Sequence, residues 1–151
     1  MKRKIFVLLF IVYVVFLVLI VVLKFDGSFD RIIALHSSII ENEKYGIQTT
    51  NFILFKSIFP YFKNITEPYA LINIMGNIIP FLPLGFFVST IIFETRFFKT
   101  IVMCLLIILA IECTQLVFKI GFFDVDDIFL NSLGCLVGYV ISLFFYKIDI
   151  L

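Results

Sequence analysis

Charge, histidine and paired cysteine are all scarce in this 151-residue chain, and each shortage removes a class of function. Charged residues make up 15% of it, with 12 Lys and Arg against 11 Asp and Glu for a net charge of +1. No basic run is longer than Lys2-Arg3-Lys4, so there is no polycationic surface and no nucleic-acid partner is expected. The single histidine, His36, has no second imidazole with which to form a metal pair, which argues against a zinc hydrolase. Cys104, Cys113 and Cys135 lack C-x-x-C spacing and all fall within apolar stretches, so they read as packing residues rather than disulfide or zinc ligands. What is abundant is apolar surface: 62% of residues are hydrophobic and the mean hydropathy is +1.16. A water-soluble domain of this size could not carry that composition, so the chain is read as one membrane domain spanning residues 1–151.

The first apolar run, from Ile5 to about Leu23, follows Lys2-Arg3-Lys4 and exceeds a signal-peptide core. No A-x-A site follows it, so an uncleaved anchor is expected, with Tyr13 as its only polar side chain. Runs at about 71–93, 100–118 and 128–145 are each long enough to cross a hydrocarbon core of roughly 30 Å. The expected fold is therefore all-α, a polytopic bundle of four transmembrane helices. Four spans place both termini on one side, together with Lys2, Arg3, Lys4, Arg96, Lys99 and Lys147, and the positive-inside rule makes that side cytoplasmic. Lys24, Arg31, Lys44, Lys56, Lys63 and Lys119 give an equal tally opposite, so the orientation rests on the tight N-terminal cluster and the short Arg96 to Lys99 hairpin.

The connection at 24–70 is longer than an ordinary loop and is expected to be interfacial and outside the cell. From Ser28, read as an N-cap, Phe29, Ile32, Ile33, His36, Ile39 and Ile40 recur at helical spacing and predict an amphipathic helix ending near Gly46. Phe52, Phe55, Phe59 and Phe62 recur at about three to four residues in a second patch, stopped by Pro60 and too short to cross a bilayer, which predicts an interfacial helical segment in the headgroup region. His36 reads as a packed or interfacial residue.

An ionisable group at mid-span costs about 2.5 to 3.5 kcal/mol on insertion scales, so Glu112 in the third span requires a reason. It lies roughly 9 Å deep by helical rise, with Gln115 three residues on and Lys119 continuing the face to the surface. In the second span Asn73 and Asn77 share a face expected to look inward, and Pro80 predicts a kink by removing a donor and crowding the carbonyl of Gly76. The fourth span opens on Asp124-Val125-Asp126-Asp127, and Asp127, Asn131, Gly134, Gly138 and Ser142 fall in one stripe about 80° wide. Gly134 and Gly138 form a GxxxG pair, suited either to packing within the chain or to a dimer, leaving the oligomeric state open. The topology brings Asn73, Asn77, Glu112, Gln115, Asp124, Asp126, Asp127 and Asn131 to similar depth on one side. These eight are the candidate binding residues.

Taken in order, Asn73-x-x-x-Asn77, Phe81-Leu82-Pro83-Leu84-Gly85-Phe86, Glu112-x-x-Gln115, Asp124-Val125-Asp126-Asp127 and Asn131-x-x-Gly134-x-x-x-Gly138-Tyr139 resemble the VanZ-like family of bacterial membrane proteins. Asn51-Phe52-Ile53-Leu54-Phe55-Lys56 is similar to the family's Asn-Leu-x-Pro-Phe-Lys segment, with Leu54 where a proline is usual. The Arg that many members carry before the acidic motif is absent. The resemblance covers residues 50–146 and implies an integral protein of the bacterial cytoplasmic membrane, linked in some members to teicoplanin susceptibility.

Three functions follow from these residues. The first is a non-enzymatic binding or barrier protein of the outer leaflet, acting on the bilayer, a lipid-linked cell-wall precursor or a lipoglycopeptide. The second is an enzyme on a lipid-linked substrate, with Glu112 and Asp127 as acid and base or, with Asp124 and Asp126, as oxygen ligands for Mg²⁺. No nucleophile with an adjacent base is visible, and no cofactor is required. The third is a small transporter or transporter subunit, disfavoured by the lack of an internal repeat.

Overall fold

The computed structural model describes residues 2–23, 29–92 and 96–147. Four helical segments, Lys4–Val22, Pro68–Ile92, Phe97–Phe118 and Val125–Lys147, are long and apolar enough to cross a membrane. The chain is an all-α, multi-pass membrane protein. In order, α1 (Lys2–Leu17) runs into a π turn at Val18–Val22, and α2 (Asp30–Lys44) leads through β1 (Thr50–Asn51) to the short α3 (Ile58–Lys63). The second span is α4 (Pro68–Ile78), a 3₁₀ turn at Ile79–Phe81, α5 (Leu82–Phe87) and a π turn at Val88–Ile92. Helix α6 (Phe97–Phe118) is the third span; β2 (Phe123–Asp124) then leads directly into α7 (Val125–Lys147), the fourth.

The expected break at Pro80 is present as the 3₁₀ turn. With no N–H at Pro80 or Pro83 the α-helical ladder cannot run through this segment, and such backbone must find partners inside the protein. Tyr13, the one polar side chain of the first span, supplies one by donating to the Pro80 carbonyl at 2.8 Å. The π turn of the first span is likewise tied down, because Gln115 Nε2 donates to Val21 O at 2.6 Å.

Glycine decides how closely the second and fourth spans approach. A methyl group at Gly138 would lie 1.9 Å from the Leu82 carbonyl oxygen, and one at Gly85 would lie 1.9 Å from that of Cys135. The two backbones therefore touch, and the GxxxG face is used within the chain against the second span. Ser89 and Ser142 extend the seam with a hydroxyl pair at 2.8 Å. Around it Phe81, Leu84, Val88, Cys104, Ile108 and Cys135 form a buried apolar layer.

The long connection sits on one end of the bundle, here termed the loop side. Helix α2 starts at Asp30 behind Phe29, and Ser28, expected as its N-cap, lies outside the described residues. Its inner face docks on the end of α6: Ile39 is buried, the His36 Nδ1–H donates to Phe118 O at 3.1 Å, and Glu43 pairs with Lys119 at 2.5 Å. Lys119 adopts a left-handed conformation (φ 54°), and the bonds Ile120 N–H to Gln115 O and Lys119 N–H to Leu116 O close α6 in a Schellman turn. The Phe52 to Phe62 patch departs from expectation. It is not one helix ended by Pro60: helix begins only at Ile58, and Pro60 lies in its first turn, where the missing N–H costs nothing. Phe52 follows β1, and Phe55 is left-handed at φ 67°.

Candidate functional site

The acidic motif at the start of α7 is built into the loop rather than left open. Asp124 precedes the helix, and its Oδ1 accepts the Asp126 N–H at 2.8 Å, an N-cap bond that satisfies one of the orphan donors of the first turn. The same carboxylate accepts Asn51 Nδ2 at 2.9 Å and the Ser57 hydroxyl at 2.5 Å. Asn51 also turns its own loop, its Oδ1 accepting the Ile53 N–H at 3.1 Å. Parallel pairing of Thr50 with Phe123 and Asn51 with Asp124 adds a two-residue ladder beneath these bonds.

Asp126 is fully buried and makes the second half of the clamp. Its Oδ1 accepts the Phe55 N–H at 2.5 Å, and its Oδ2 accepts those of Ser57 at 2.7 Å and Ile58 at 3.1 Å. Ser57 and Ile58 open α3, so a carboxylate from the fourth span caps a helix of the loop almost 70 residues earlier in the chain. Each of the two carboxylates thus accepts three donors on its about four lone-pair positions, which gives both an anchoring role in the loop. Among the described residues no group of three or more His, Cys, Asp or Glu could hold a metal ion.

The remaining candidates divide. Asn77 Nδ2 donates to Asp127 Oδ1 at 2.6 Å, joining the second and fourth spans at the half-buried rim. The Tyr61 phenol lies nearby, its pKa pushed above its ordinary value by burial, then by Asp127 and Asp124, so it remains a donor at neutral pH. One turn deeper, Asn131 Nδ2 donates to Glu112 Oε1 at 3.4 Å, both residues being nearly inaccessible. Asn131 Oδ1 has no hydrogen-bond partner among the described residues and can accept one more donor.

Asn73 and Gln115 do not join this group. Asn73 is exposed, because the helix turns it away from the bundle, and its amide returns to the Tyr69 carbonyl at 2.7 Å. Gln115 is buried against the first span. Sequence reasoning missed Asn51 and Ser57 as functional positions. Ser57 before a short apolar run has the composition of an N-cap, but its side chain makes no cap bond and reaches Asp124 instead.

Fold and site together define a multi-pass helical membrane protein in which carboxylates of the fourth span hold an aromatic loop against the end of the bundle. The family model described as VanZ/LLP1 matches residues 10–146, and the chain belongs to this VanZ-like family. Neither a curated protein nor a solved structure matches it.

Proposed function

We propose that this protein is a non-enzymatic binding or barrier element of the bacterial cytoplasmic membrane, with both termini cytoplasmic and the aromatic loop at the outer leaflet. The observation that carries this reading is the loop itself. Phe52, Phe55, Phe59 and Phe62 stay exposed while the backbone beneath them is bonded to Asp124 and Asp126. A rigid apolar surface at the headgroup level alters how acylated molecules anchor there, since each buried methylene is worth about 0.8 kcal/mol. Teicoplanin, which carries an acyl chain, belongs to the class whose binding such a surface would disfavour; lipid-linked wall precursors are another.

A second reading is an enzyme acting on a lipid-linked cell-wall precursor through Glu112 and Asp127. The half-buried Asp127, bonded to Asn77 and close to Tyr61, favours it. A transporter has less support, because the apolar layer of Phe81, Leu84 and Ile108 closes the core beneath the polar groups.

The test is inhibition of a susceptible Gram-positive host by teicoplanin and vancomycin at matched membrane levels of wild type, Asp126→Ala, Glu112→Gln and Asp127→Asn. The binding reading expects a teicoplanin-selective shift that Asp126→Ala removes and Glu112→Gln retains. Loss in Glu112→Gln and Asp127→Asn, with the proteins still folded, would favour the enzyme. Equal shifts for both drugs would remove acyl dependence.

A further inference from the structure

We infer that the aromatic loop is a binding platform for anionic phospholipid headgroups, a ligand class that deepens the interfacial reading above and rests on it. Helix α3 buries Ile58 toward the bundle and turns Phe59, Phe62 and Lys63 outward, the last four residues after Phe59 and so on the same face. Lys56, in the turn just before, is exposed as well. Neither lysine has an ion-pair partner among the described residues. The contrast with Lys119, which is neutralised by Glu43, is chemical: α2 brings an acid to that lysine, whereas Asp124 and Asp126 are turned into the loop and the exposed Glu67, four residues after Lys63, forms no ion pair among the described residues. Asp124 and Asp126 are bonded to Asn51, Ser57 and the loop amides. From residue 50 to residue 67 the sequence contains two lysines and one acid, Glu67, which stands at the N-cap of α4.

The surface thus presents two exposed lysines without ion pairs among the described residues beside exposed rings, Phe59 at 68% and Phe62 at 61% accessibility. It is continuous with the outer end of the fourth span, because Phe55 packs on Phe129 of α7 and Phe52 on Phe123 just before it. Rings entering the leaflet would hold the ammonium groups at phosphate depth, where lysine stems extend to the interface. Each lysine at an anionic surface contributes about fivefold in affinity, the equivalent of about 1 kcal/mol. Because the clamp has already ordered the loop, little of that gain is lost to conformational entropy.

The chain has no tryptophan, so Phe59→Trp places a single fluorescent reporter on the platform. The full-length variant is reconstituted in nanodiscs of phosphatidylcholine and phosphatidylglycerol, with brominated acyl chains carried by one lipid or the other at equal mole fraction. The expected result is quenching at least twofold stronger when phosphatidylglycerol carries the bromine. The difference should collapse in Phe59→Trp with Lys56→Gln and Lys63→Gln, and in 1 M salt, where screening falls to about 3 Å. Equal quenching by both lipids overturns headgroup selectivity, a preference that survives the double substitution overturns its assignment to Lys56 and Lys63, and either leaves the interfacial placement standing. No quenching by either lipid overturns the placement, and with it the proposed function. Matching thermal melts verify that the exposed substitutions leave the fold intact.

Discussion

Replacing Asp126 by alanine should release the aromatic loop while leaving the four spans assembled. The carboxylate accepts three backbone N–H groups at 2.5, 2.7 and 3.1 Å. Hydrogen bonds to charged groups contribute about 1.5 to 3 kcal/mol each, but the three losses are unequal. Phe55 is exposed, so water can replace the acceptor for its amide; Ser57 is half-buried and Ile58 is buried, so their amides bear the desolvation cost. Two such amides at about 1 to 3 kcal/mol, with a smaller share from Phe55, give roughly 4 kcal/mol. The left-handed Phe55, which costs about 1 to 2 kcal/mol and is held by the same carboxylate, would relax as well. Hydrogen exchange by mass spectrometry in nanodiscs reads this directly. Protection of amides 55–58 should fall by about three orders of magnitude, at 1.4 kcal/mol per decade, while α6, and α7 beyond its first turn, are unaffected. Asp126→Asn, which keeps one acceptor oxygen, should lose about half as much on the energy scale. Asp127→Asn, whose mapped partner is Asn77, should leave those amides unchanged. Unchanged protection in Asp126→Ala would refute the clamp.

Three further outcomes are expected. Gly138→Ala forces a methyl group to 1.9 Å from a backbone oxygen and should destabilise by about 3 kcal/mol, whereas Gly76→Ala meets nothing within 4 Å and should gain about 0.5 to 1 kcal/mol of helix propensity. Thermal unfolding in mild detergent separates the two, and equal melting would show that the contact between spans two and four is not tight. Leu54→Pro should stabilise the loop by about 0.4 to 1 kcal/mol, because Leu54 precedes the left-handed Phe55 in a turn closed by Lys56 N–H to Ile53 O, and proline presets that position. Decreased exchange protection of the loop would contradict that turn geometry. Tyr13→Phe removes the bond to the Pro80 carbonyl and should cost about 0.6 to 1.5 kcal/mol in a folding titration, with no effect if the carbonyl finds another donor.

Much of the fold was legible because the bilayer imposes a length. Four runs of the necessary size appear in the sequence, and the structure has four helices there. The break at Pro80 was also legible, since a missing N–H is a local property. The site was less so. Asn73 and Asn77 are four apart, and spacing alone assigns them one face, yet a bundle face covers only part of a helix and the structure exposes Asn73. Gln115 follows Glu112 by one turn, but the first span, nearly 100 residues earlier, supplies its acceptor. Periodicity in the Phe52 to Phe62 patch suggested helix because it cannot distinguish a true helical turn from a turn that happens to display rings.

The sequence by itself determined the solvent this chain requires, the number of its spans and the location of its polar groups, because hydrophobic length and charge cost are properties of the residues. Tertiary structure alone decided what those polar groups do. Only when the loop is folded back do Asp124 and Asp126 meet Asn51, Ser57 and the amides of α3, and only when the spans touch do Gly85 and Gly138 become indispensable. A buried donor or acceptor satisfies itself with whatever the fold brings within about 3 Å, and partners 70 residues away leave no local trace.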